Sequence, residues 1–390
     1  MEGANTARPT EADIVARARA MLPMLRQRAA ETEALRRLPD ATNREFAEAG
    51  FYKIMQPHRY GGYELRFGLQ TELGAELGRA CGSAAWVASI TSCHPWLAGM
   101  FPPEAQDEIW GESAETTVSS SFMAVAPKVE RTQGGYRVSG RWKFSSGVDH
   151  CRWAVVMLPI PPKVFFALLR LSECRVEDTW RAVGLAGTGS NDIVADSVFL
   201  PDRRLLDLDD VKGGPTPGSA VNDHYLYRLP VLAPLTFSIV GNALGVARGI
   251  AETIVEQLQV QKSRAGTPVA ANQSIQLRVA EAQAEIDAAH ALVFKDRDEI
   301  VRKGLAGETI TLADRVRYRR DMSFSGQLCV RAVERLFPIV GAQGLMSDHP
   351  VQRGWRDLRA ISHHLAMTWD IQGSLYGAVT LGLPCPDPKI

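Results

Sequence analysis

Residues 134–147 read GGYRVSGRWKFSSG, and within this stretch large apolar side chains alternate with polar ones. Tyr136, Val138 and Trp142 are apolar, while the residues between them include two arginines and a serine. Successive side chains of a β-strand point to opposite faces, so a period of two predicts a strand with one buried face. The stretch therefore indicates β-structure near the middle of the chain.

More strand-like segments surround this stretch. Around Thr116 the apolar period changes from 3.6 residues to two, and turn residues separate further segments at 117–125, 153–159, 164–171 and 193–200. Short strands at this spacing are typical of a small β-barrel or sandwich. We predict a central β-domain over residues 114–210.

The part of the chain before this region has a helical period. Ile14, Ala18, Met21 and Leu25 recur at spacings of four, three and four, and Pro23 is expected to kink or split their helix. HRYGGY at 58–63 interrupts the pattern. Residues 82–94 then predict a buried apolar helix that Pro95 ends. We assign residues 1–113 to an N-terminal helical domain.

The part after the β-region returns to the helical period. Residues 212–220, KGGPTPGSA, are rich in Pro, Gly and Ser and predict a connection between domains. Four long helical segments follow, at 232–262, 274–303, 312–340 and 351–381. We predict that residues 211–390 form a C-terminal four-helix bundle.

Composition limits the kind of partner. The 390-residue chain is 45% hydrophobic, and its 44 Lys and Arg equal its 44 Asp and Glu. A balanced charge argues against nucleic acid or an anionic membrane surface as a partner and favours a neutral small molecule.

Cysteine usage and the N-terminal residues bear on the compartment. The six cysteines include no CxxC pair, which is typical of reduced thiols in a cytoplasmic protein. The opening residues MEGANTARPTEAD lack the basic start and apolar run of a signal peptide, and no 18-residue apolar stretch occurs. We expect neither export nor membrane insertion.

Two common kinds of site are not indicated. No histidine lies in a metal-binding spacing, and the four that we exclude on this ground are His58, His224, His290 and His349. No GxGxxG follows an opening strand, so a Rossmann site for a nicotinamide cofactor is not expected. We predict no metal and no direct use of NAD(P)H.

Several local strings give the domain order a family resemblance. They are 46–62 (FAEAGFYKIMQPHRYGG), 134–147, 184–201 (GLAGTGSNDIVADSVFLP), 262–268 (KSRAGTP) with Gly245 and Arg248 before it, and 341–357. Together they resemble the acyl-CoA dehydrogenase superfamily over about residues 12–385. The resemblance implies a mainly α fold with a central β-domain: an N-terminal helical domain, a small β-barrel and a C-terminal four-helix bundle.

One position separates two branches of that superfamily. A dehydrogenase needs a carboxylate base, commonly in a Glu-Gly context after an Arg-Asp pair, to remove an α-proton. Here residues 356–370 read RDLRAISHHLAMTWD, with His363 and His364 in its place. The region resembles instead the two-component flavin-dependent monooxygenases, such as the oxygenase components of 4-hydroxyphenylacetate hydroxylase and of a steroid-derived phenol hydroxylase.

This branch implies residues that bind a reduced flavin. Ser146 is expected to donate a hydrogen bond near flavin N5, a catalytic role. The other expected cofactor-binding residues are Ser119 and Ser121 in the strand before it, Trp142, Ser145 and Gly147 around it, and Arg264 at a flavin phosphate.

The resemblance also implies residues on the substrate side of the flavin. His94 and His364 are expected to be catalytic, because an imidazole can take or polarise a phenolic proton and so activate the ring. Trp96 and His363 are expected to contact the substrate with them.

The implied function is that of an oxygenase component. It hydroxylates a phenolic or indolic substrate through a C4a-hydroperoxyflavin formed from reduced flavin and O2, with a separate NAD(P)H:flavin reductase as partner. The flavin is FAD or FMN, with FAD preferred. By analogy with the superfamily, the protein is a homotetramer arranged as a dimer of dimers.

Three alternatives stay open. An acyl-CoA dehydrogenase or oxidase could carry its base on another helix, where Glu281, Glu285 and Asp287 are candidates. The same scaffold could oxygenate sulfur or nitrogen. A binding protein that has lost its flavin is also compatible with the fold.

Overall fold

The computed structural model describes residues 8–387 and 389–390, beginning with six helices. These are α1 Glu11–Ala20, α2 Leu22–Leu35, α3 Asp40–Glu48, α4 Leu69–Leu77, α5 Gly82–Ala98 and α6 Pro103–Trp110. Thr10 and Asp13 form a capping box at the start of α1. The chain breaks at Met21, and Pro23 lies in the first turn of α2, so the expected split of the first helix is confirmed.

Helix α5 is the central element of the N-terminal region. All its residues except Ile90 are buried, as predicted. The expected end at Pro95 is wrong, because the helix continues to Ala98. A proline in the last turn removes only the bond to the carbonyl of Thr91, and burial of the flanking side chains outweighs that loss.

Eight strands occupy the middle of the chain. They are β1 Val118–Ser121, β2 Met123–Thr132, β3 Gly135–Ser145, β4 Trp153–Ile160, β5 Lys163–Arg170, β6 Arg175–Glu177, β7 Asn191–Pro201 and β8 Leu205–Asp207. The predicted strand 117–125 is two strands that separate at Phe122 and enter different sheets.

The strands form two four-stranded sheets with the orders β1-β4-β5-β8 and β2-β3-β7-β6. β1 pairs with β4 in parallel, and the remaining pairs are antiparallel. Apolar side chains from both sheets, including Trp142, Val156 and Ile193, meet in one buried core. The central β-domain is thus a two-sheet sandwich.

Five helices form the C-terminal region. They are α7 Phe237–Val260, α8 Gln273–Ala306, α9 Leu312–Val340, α10 Pro350–Ser362 and α11 Trp369–Thr380. The single helix predicted for 351–381 is wrong. His364 has an extended backbone, with φ −64° and ψ 139°, and its Nδ1 accepts a hydrogen bond from the amide of Ala366 at 3.1 Å. This local cap replaces helical hydrogen bonds and turns the chain.

The helical regions share one large core. Helix α4 packs tightly on α7, where a Cβ on Gly245 would lie 2.7 Å from the carbonyl oxygens of Gly74 and Ala75. Helix α5 contacts α7, α10 and β1, so it lies where the bundle meets the β-domain. The domain limits at 113/114 and 210/211 stay a prediction, although every strand found in the described residues lies between Val118 and Asp207.

Among the residues described, no helix has both the length and the apolar character that a membrane crossing requires.

Candidate functional site

The site is built around Ser146, which follows β3. Its hydroxyl accepts a hydrogen bond from the indole Nε1 of Trp86 at 2.9 Å and shares another with the hydroxyl of Ser190 at 2.7 Å. Ser190 in turn shares a hydrogen bond with Thr188 at 2.7 Å, and Thr188 donates to the carbonyl of Leu185 at 2.8 Å. Three hydroxyls therefore form a continuous chain.

The two ends of this hydroxyl chain fix its direction. A carbonyl oxygen can only accept, so the proton of Thr188 points to Leu185. Ser190 must then donate to Thr188, and Ser146 must donate to Ser190. The proton of Ser146 is thereby used inside the protein. What Ser146 retains for a ligand is a lone pair, so this network gives it the opposite polarity to the expected donor.

Gly147 brings the chain close to α5. Its φ is +68°, in the left-handed region, and its amide donates to the carbonyl of Thr188 at 2.8 Å. A Cβ here would lie 3.0 Å from Val87 and 3.5 Å from the hydroxyl of Thr91. Glycine therefore permits both the backbone conformation and the close approach.

Trp86 also connects Ser146 with His364. The rings of Trp86 and His364 lie 5.8 Å apart at an angle of 57°. Because Nδ1 of His364 accepts from Ala366, the neutral imidazole carries its proton on Nε2. His364 is exposed to solvent on one side. The protein atoms packed around its imidazole nevertheless lower its pKa, mainly by desolvation and further through the charge of Arg319.

His94 lies farther along α5 and is held from both sides. Its Nδ1 is 2.7 Å from the carbonyl of Val118, and its Nε2 is 2.8 Å from the hydroxyl of Ser120. Nδ1 must donate to the carbonyl, so Nε2 accepts from Ser120. Burial lowers the pKa of His94 to about 4 despite the bond to Val118. The pair is thus a neutral imidazole and a hydroxyl with free lone pairs.

Helix α5 and strand β1 relate these groups to one another. Val87, Thr91 and His94 recur at spacings of four and three, so they share one face of α5. In β1 only Ser120 is half-exposed, whereas the other three residues are buried. The structure therefore brings Ser146, Gly147 and His364 together around the start of α5, and His94 with Ser120 near its end.

The remaining predicted serines have buried hydroxyls. Ser119 donates to the carbonyl of Trp153 at 3.4 Å, and Ser121 donates to the carbonyl of Lys143. Within the described chain, the hydroxyls of Ser145 and Thr91 have no hydrogen-bond partner. A buried hydroxyl without a partner is unfavourable, so both are candidates for bonds to a ligand.

Other predicted site residues lie apart from this group. Trp96 is in the core against Phe67, with its indole donating to Leu226 at 2.7 Å. Trp142 is inside the β-sandwich, where it donates to Met157 at 2.8 Å. In the part of the chain that the structure describes, no hydrogen bond or ring contact joins either tryptophan to Ser146 or His364.

His363 and Arg264 are exposed. Nδ1 of His363 donates to the carbonyl of Arg359 at 2.8 Å, which caps its own helix. Arg264 lies in the loop between α7 and α8, and no side chain in the described part of the protein pairs with it. Its predicted role at a flavin phosphate stays a prediction.

The carboxylates that a dehydrogenase could use as a base face elsewhere. Glu285 pairs with Arg331 at 2.6 Å, and Glu281 pairs with Arg335 at 2.6 Å, both between α8 and α9. Asp287 is exposed on α8. In residues 8–387 and 389–390, no group of three or more His, Cys, Asp or Glu side chains is placed to hold a metal ion.

The groups around Ser146 fit a flavin ring. An isoalloxazine has one edge of carbonyl and nitrogen atoms and two flat apolar faces. The unpartnered hydroxyls of Thr91 and Ser145 and the free lone pair of Ser146 match the polar edge, while Trp86 and Val87 supply apolar surface.

Sequence reasoning missed four of these residues as members of the site. They are Trp86, Ser120, Thr188 and Ser190. The small hydroxyl run GTGS at 187–190 was the one local signal, because closely spaced hydroxyls between glycines are typical of a built loop. The contacts of Trp86 and Ser120 join distant parts of the chain and leave no local pattern.

Comparison with known proteins gives two family matches. Residues 9–112 match the acyl-CoA dehydrogenase N-terminal domain, and residues 237–369 match the acyl-CoA dehydrogenase C-terminal domain. The chain is also 34% identical to the oxygenase component of FADH(2)-dependent resorcinol hydroxylase from Rhizobium sp. (strain MTP-10005), over 96% of this chain and 95% of that protein.

Solved structures agree with these matches. The 3-HSA hydroxylase from Rhodococcus sp. RHA1 superposes with a TM-score of 0.92 at 32% identity, covering 97% of this chain and 99% of that one. XiaF from Streptomyces sp., in complex with FADH2 and glycerol, gives 0.90 at 25% identity, covering 97% and 98%. The protein therefore belongs to the acyl-CoA dehydrogenase family, and its relatives there are oxygenase components of flavin-dependent monooxygenases.

Proposed function

We propose that the protein is the oxygenase component of a two-component monooxygenase that hydroxylates a phenol. The observation that carries the proposal is the neutral pair of His94 and Ser120, because His94 lies on α5, the helix that also carries Trp86, the partner of Ser146. One end of α5 thus suits the cofactor and the other suits the substrate hydroxyl. The resorcinol-hydroxylating relative supports a phenolic substrate.

The cofactor side depends on Ser146, Trp86 and Gly147. Bound reduced flavin supplies the electrons with which one atom of dioxygen enters the substrate. Ser146 would accept a hydrogen bond from a ring N–H of the flavin through its remaining lone pair, since its own proton is directed to Ser190. Trp86 holds Ser146 in place and adds apolar surface that excludes water.

The substrate side depends on Ser120 and His94. The hydroxyl of Ser120 donates to His94 Nε2, so its oxygen accepts the proton of a phenolic hydroxyl in a hydrogen bond. Because burial lowers the pKa of His94, the pair polarises the phenol rather than removing its proton outright. Polarisation raises the electron density of the ring, which favours attack by an electrophilic oxygen.

His364 completes the enclosure from the bundle side. Its Nε2–H is the free donor of the ring, because Nδ1 is occupied by Ala366. With a flavin bound beside Trp86, this N–H would donate a hydrogen bond to an oxygen atom of the cofactor or of the reacting dioxygen.

Partners and assembly follow from the same proposal. Reduced flavin reaches the protein from a separate NAD(P)H:flavin reductase, O2 is the co-substrate, and FAD is preferred over FMN, as supported by the two relatives whose names include FADH2. We propose a cytoplasmic homotetramer. Exposed apolar side chains near the end of the bundle, among them Leu365, which is 63% exposed, support self-association.

The test is anaerobic mixing of the protein with chemically reduced FAD or FMN, followed by O2 and a panel of phenols, indoles and aryl sulfides. We expect a phenol to be hydroxylated, with hydrogen peroxide as the minor product. In S120A we expect the loss of phenol oxidation to exceed any loss of flavin binding. Oxidation of sulfides or indoles with no phenol product would redirect the proposal to those substrates, and reduction of bound flavin by an acyl-CoA would contradict it.

A further inference from the structure

Asp357 of α10 lies behind the site and touches two of its supports. Its side chain is buried, at 4% exposure, and Oδ1 accepts a hydrogen bond from the amide of Leu185 at 2.6 Å. Oδ2 lies against Gly82, the first residue of α5, where a Cβ would be only 2.7 Å away. One carboxyl group therefore joins the turn at 185–190 to the start of α5.

The peptide of Leu185 is a junction of hydrogen bonds. Its φ of +52° is unusual for a branched side chain and needs support from its surroundings. Its carbonyl accepts from the amide of Thr188 at 3.1 Å, the hydroxyl of Thr188 at 2.8 Å and the indole of Trp180 at 2.9 Å. The hydroxyl chain to Ser146 begins at this carbonyl.

Asp357 thus contacts both of the elements that carry the hydrogen-bond partners of Ser146. Trp86 reaches Ser146 from α5, and Ser190 reaches it from the turn. A shift of the turn relative to α5 would lengthen one of these hydrogen bonds. The turn and α5 also pack on each other directly, and Asp357 adds a hydrogen bond to the turn and a close steric contact with Gly82 of α5.

The neighbouring Arg356 contacts residues 183–184, which come just before Leu185. Its guanidinium donates to the carbonyl of Val183 and pairs with Glu33 of α2. A Cβ on Gly184 would lie 2.1 Å from the carbonyl of Arg356, so the backbone of 183–185 sits directly on α10. The segment is therefore seated on α10 before it reaches Leu185.

We propose that Asp357 is a positioning residue that fixes the location and polarity of Ser146 by fastening the 185–190 turn to the start of α5. This inference deepens the proposed function and rests on it for its catalytic consequence. The role requires an acceptor for the Leu185 amide, not a negative charge.

The surroundings of the carboxyl group agree with an acceptor role. Desolvation raises the pKa of Asp357 to about 7, opposed by the bond from Leu185, with Glu33 adding to the rise and Arg356 and Arg353 opposing it. Burial raises the pKa of the nearby Cys81 thiol, and the charge of Asp357 adds to that rise. Both the acid and its anion can accept from Leu185, so an amide oxygen can replace either form.

The decisive variants are D357N and D357L, whose side chains both branch at Cγ. Asn keeps an acceptor for Leu185, whereas Leu fills the space without one. D357A serves as a second acceptor-free variant if D357L folds poorly. V293A, in the buried interior of α8, is a matched control for general loss of stability.

Hydrogen exchange tests the positioning directly, without flavin or substrate. We expect D357L to exchange about tenfold faster at peptides covering both 185–191 and 143–150, the latter reporting the Gly147 amide bonded to Thr188. D357N and V293A should match the wild type there. An unchanged 143–150 peptide in D357L, or equal acceleration in D357N, would overturn the proposal.

Turnover tests the catalytic consequence. We expect D357L to release about tenfold more hydrogen peroxide per hydroxylated product, the equivalent of one lost hydrogen bond, with D357N restoring coupling. Normal coupling in D357L would contradict the role. If the wild type oxygenates no aromatic compound, the proposed function is wrong, and the exchange comparison still decides the role of Asp357.

Discussion

His94 is neutral across the physiological range, because burial lowers its pKa from 6.5 to about 4. The folded protein therefore binds fewer protons here than the unfolded chain between those values. The contribution of neutral His94 to the free energy of unfolding is fully present above pH 6.5 and is lost as the pH falls towards 4. At about 1.4 kcal/mol per pH unit, the loss amounts to about 3 kcal/mol.

We expect H94N to flatten this part of the pH profile. The Asn amide can replace the Nδ1–H that donates to Val118, but it has no proton to take up in this range. Thermal unfolding of both proteins from pH 7 to 4 measures the difference. Parallel profiles would show that His94 is not the titrating group.

Ser146 and Trp86 make separable contributions to coupling. S146A removes the acceptor that we assign to the flavin ring, and we expect about tenfold more hydrogen peroxide per product. W86F keeps an aromatic ring beside His364 but loses the N–H that holds Ser146, so a smaller effect is expected. The ratio of product to peroxide measures both. S374A, on the exposed side of α11, is the control and should behave as wild type.

At the scale of single elements, the turn between α10 and α11 determines where His364 points. Gln372 is fully buried, donates to the carbonyl of Leu365 at 2.8 Å and accepts from Arg319 at 2.7 Å. Q372A leaves the Nε of buried Arg319 without its partner, which costs about 1–3 kcal/mol. The free energy of unfolding in urea measures this loss.

Q372E separates the two bonds of Gln372. A carboxylate keeps the acceptor for Arg319 but cannot donate to Leu365, and it brings a negative charge to that carbonyl. We expect Q372E to retain more stability than Q372A while exchange at 363–368 rises in both. Equal exchange in all three proteins would show that Gln372 does not hold the turn.

The positions of helices and strands were predicted better than the points at which they end or break. Periodicity located the strands and the helices of the bundle, because burial on one face leaves a repeating pattern. It missed the break at His364, since the apolar period continues across 351–381 and the cap on Ala366 is one hydrogen bond. It also placed a stop at Pro95, where packing around α5 overrides the proline.

The residues of the candidate site show the same difference between local patterns and distant contacts. Ser146, Gly147, His94 and His364 were predicted from the family resemblance, and the structure groups them in two places along α5. Trp86 and Asp357 were not predicted as site residues, because each acts through a contact more than fifty residues away in sequence.

At the scale of the whole molecule, we propose that Arg264 binds a flavin phosphate across a subunit boundary of the proposed tetramer. We expect the protein to be a tetramer by light scattering. R264A should weaken binding of reduced flavin by about tenfold while the tetramer persists. R26A, an exposed arginine of α2, is the matched control. Unchanged flavin affinity in R264A would remove this residue from the cofactor site.

The hydroxyl chain ends at one side on a carbonyl that cannot donate and at the other on an indole that cannot accept. The direction of its three protons is therefore fixed as long as these end bonds are kept. If the protein is engineered for a new substrate, Ser146, Thr188 and Ser190 should be kept or exchanged together. The substitution T188V keeps the shape of threonine but removes the acceptor of Ser190. The hydroxyls of Ser190 and Ser146 could then rotate, and Ser146 would no longer present only a lone pair to a ligand. A serine transferred to another protein without Ser190 and Thr188 would lack the hydrogen bonds that orient the hydroxyl of Ser146.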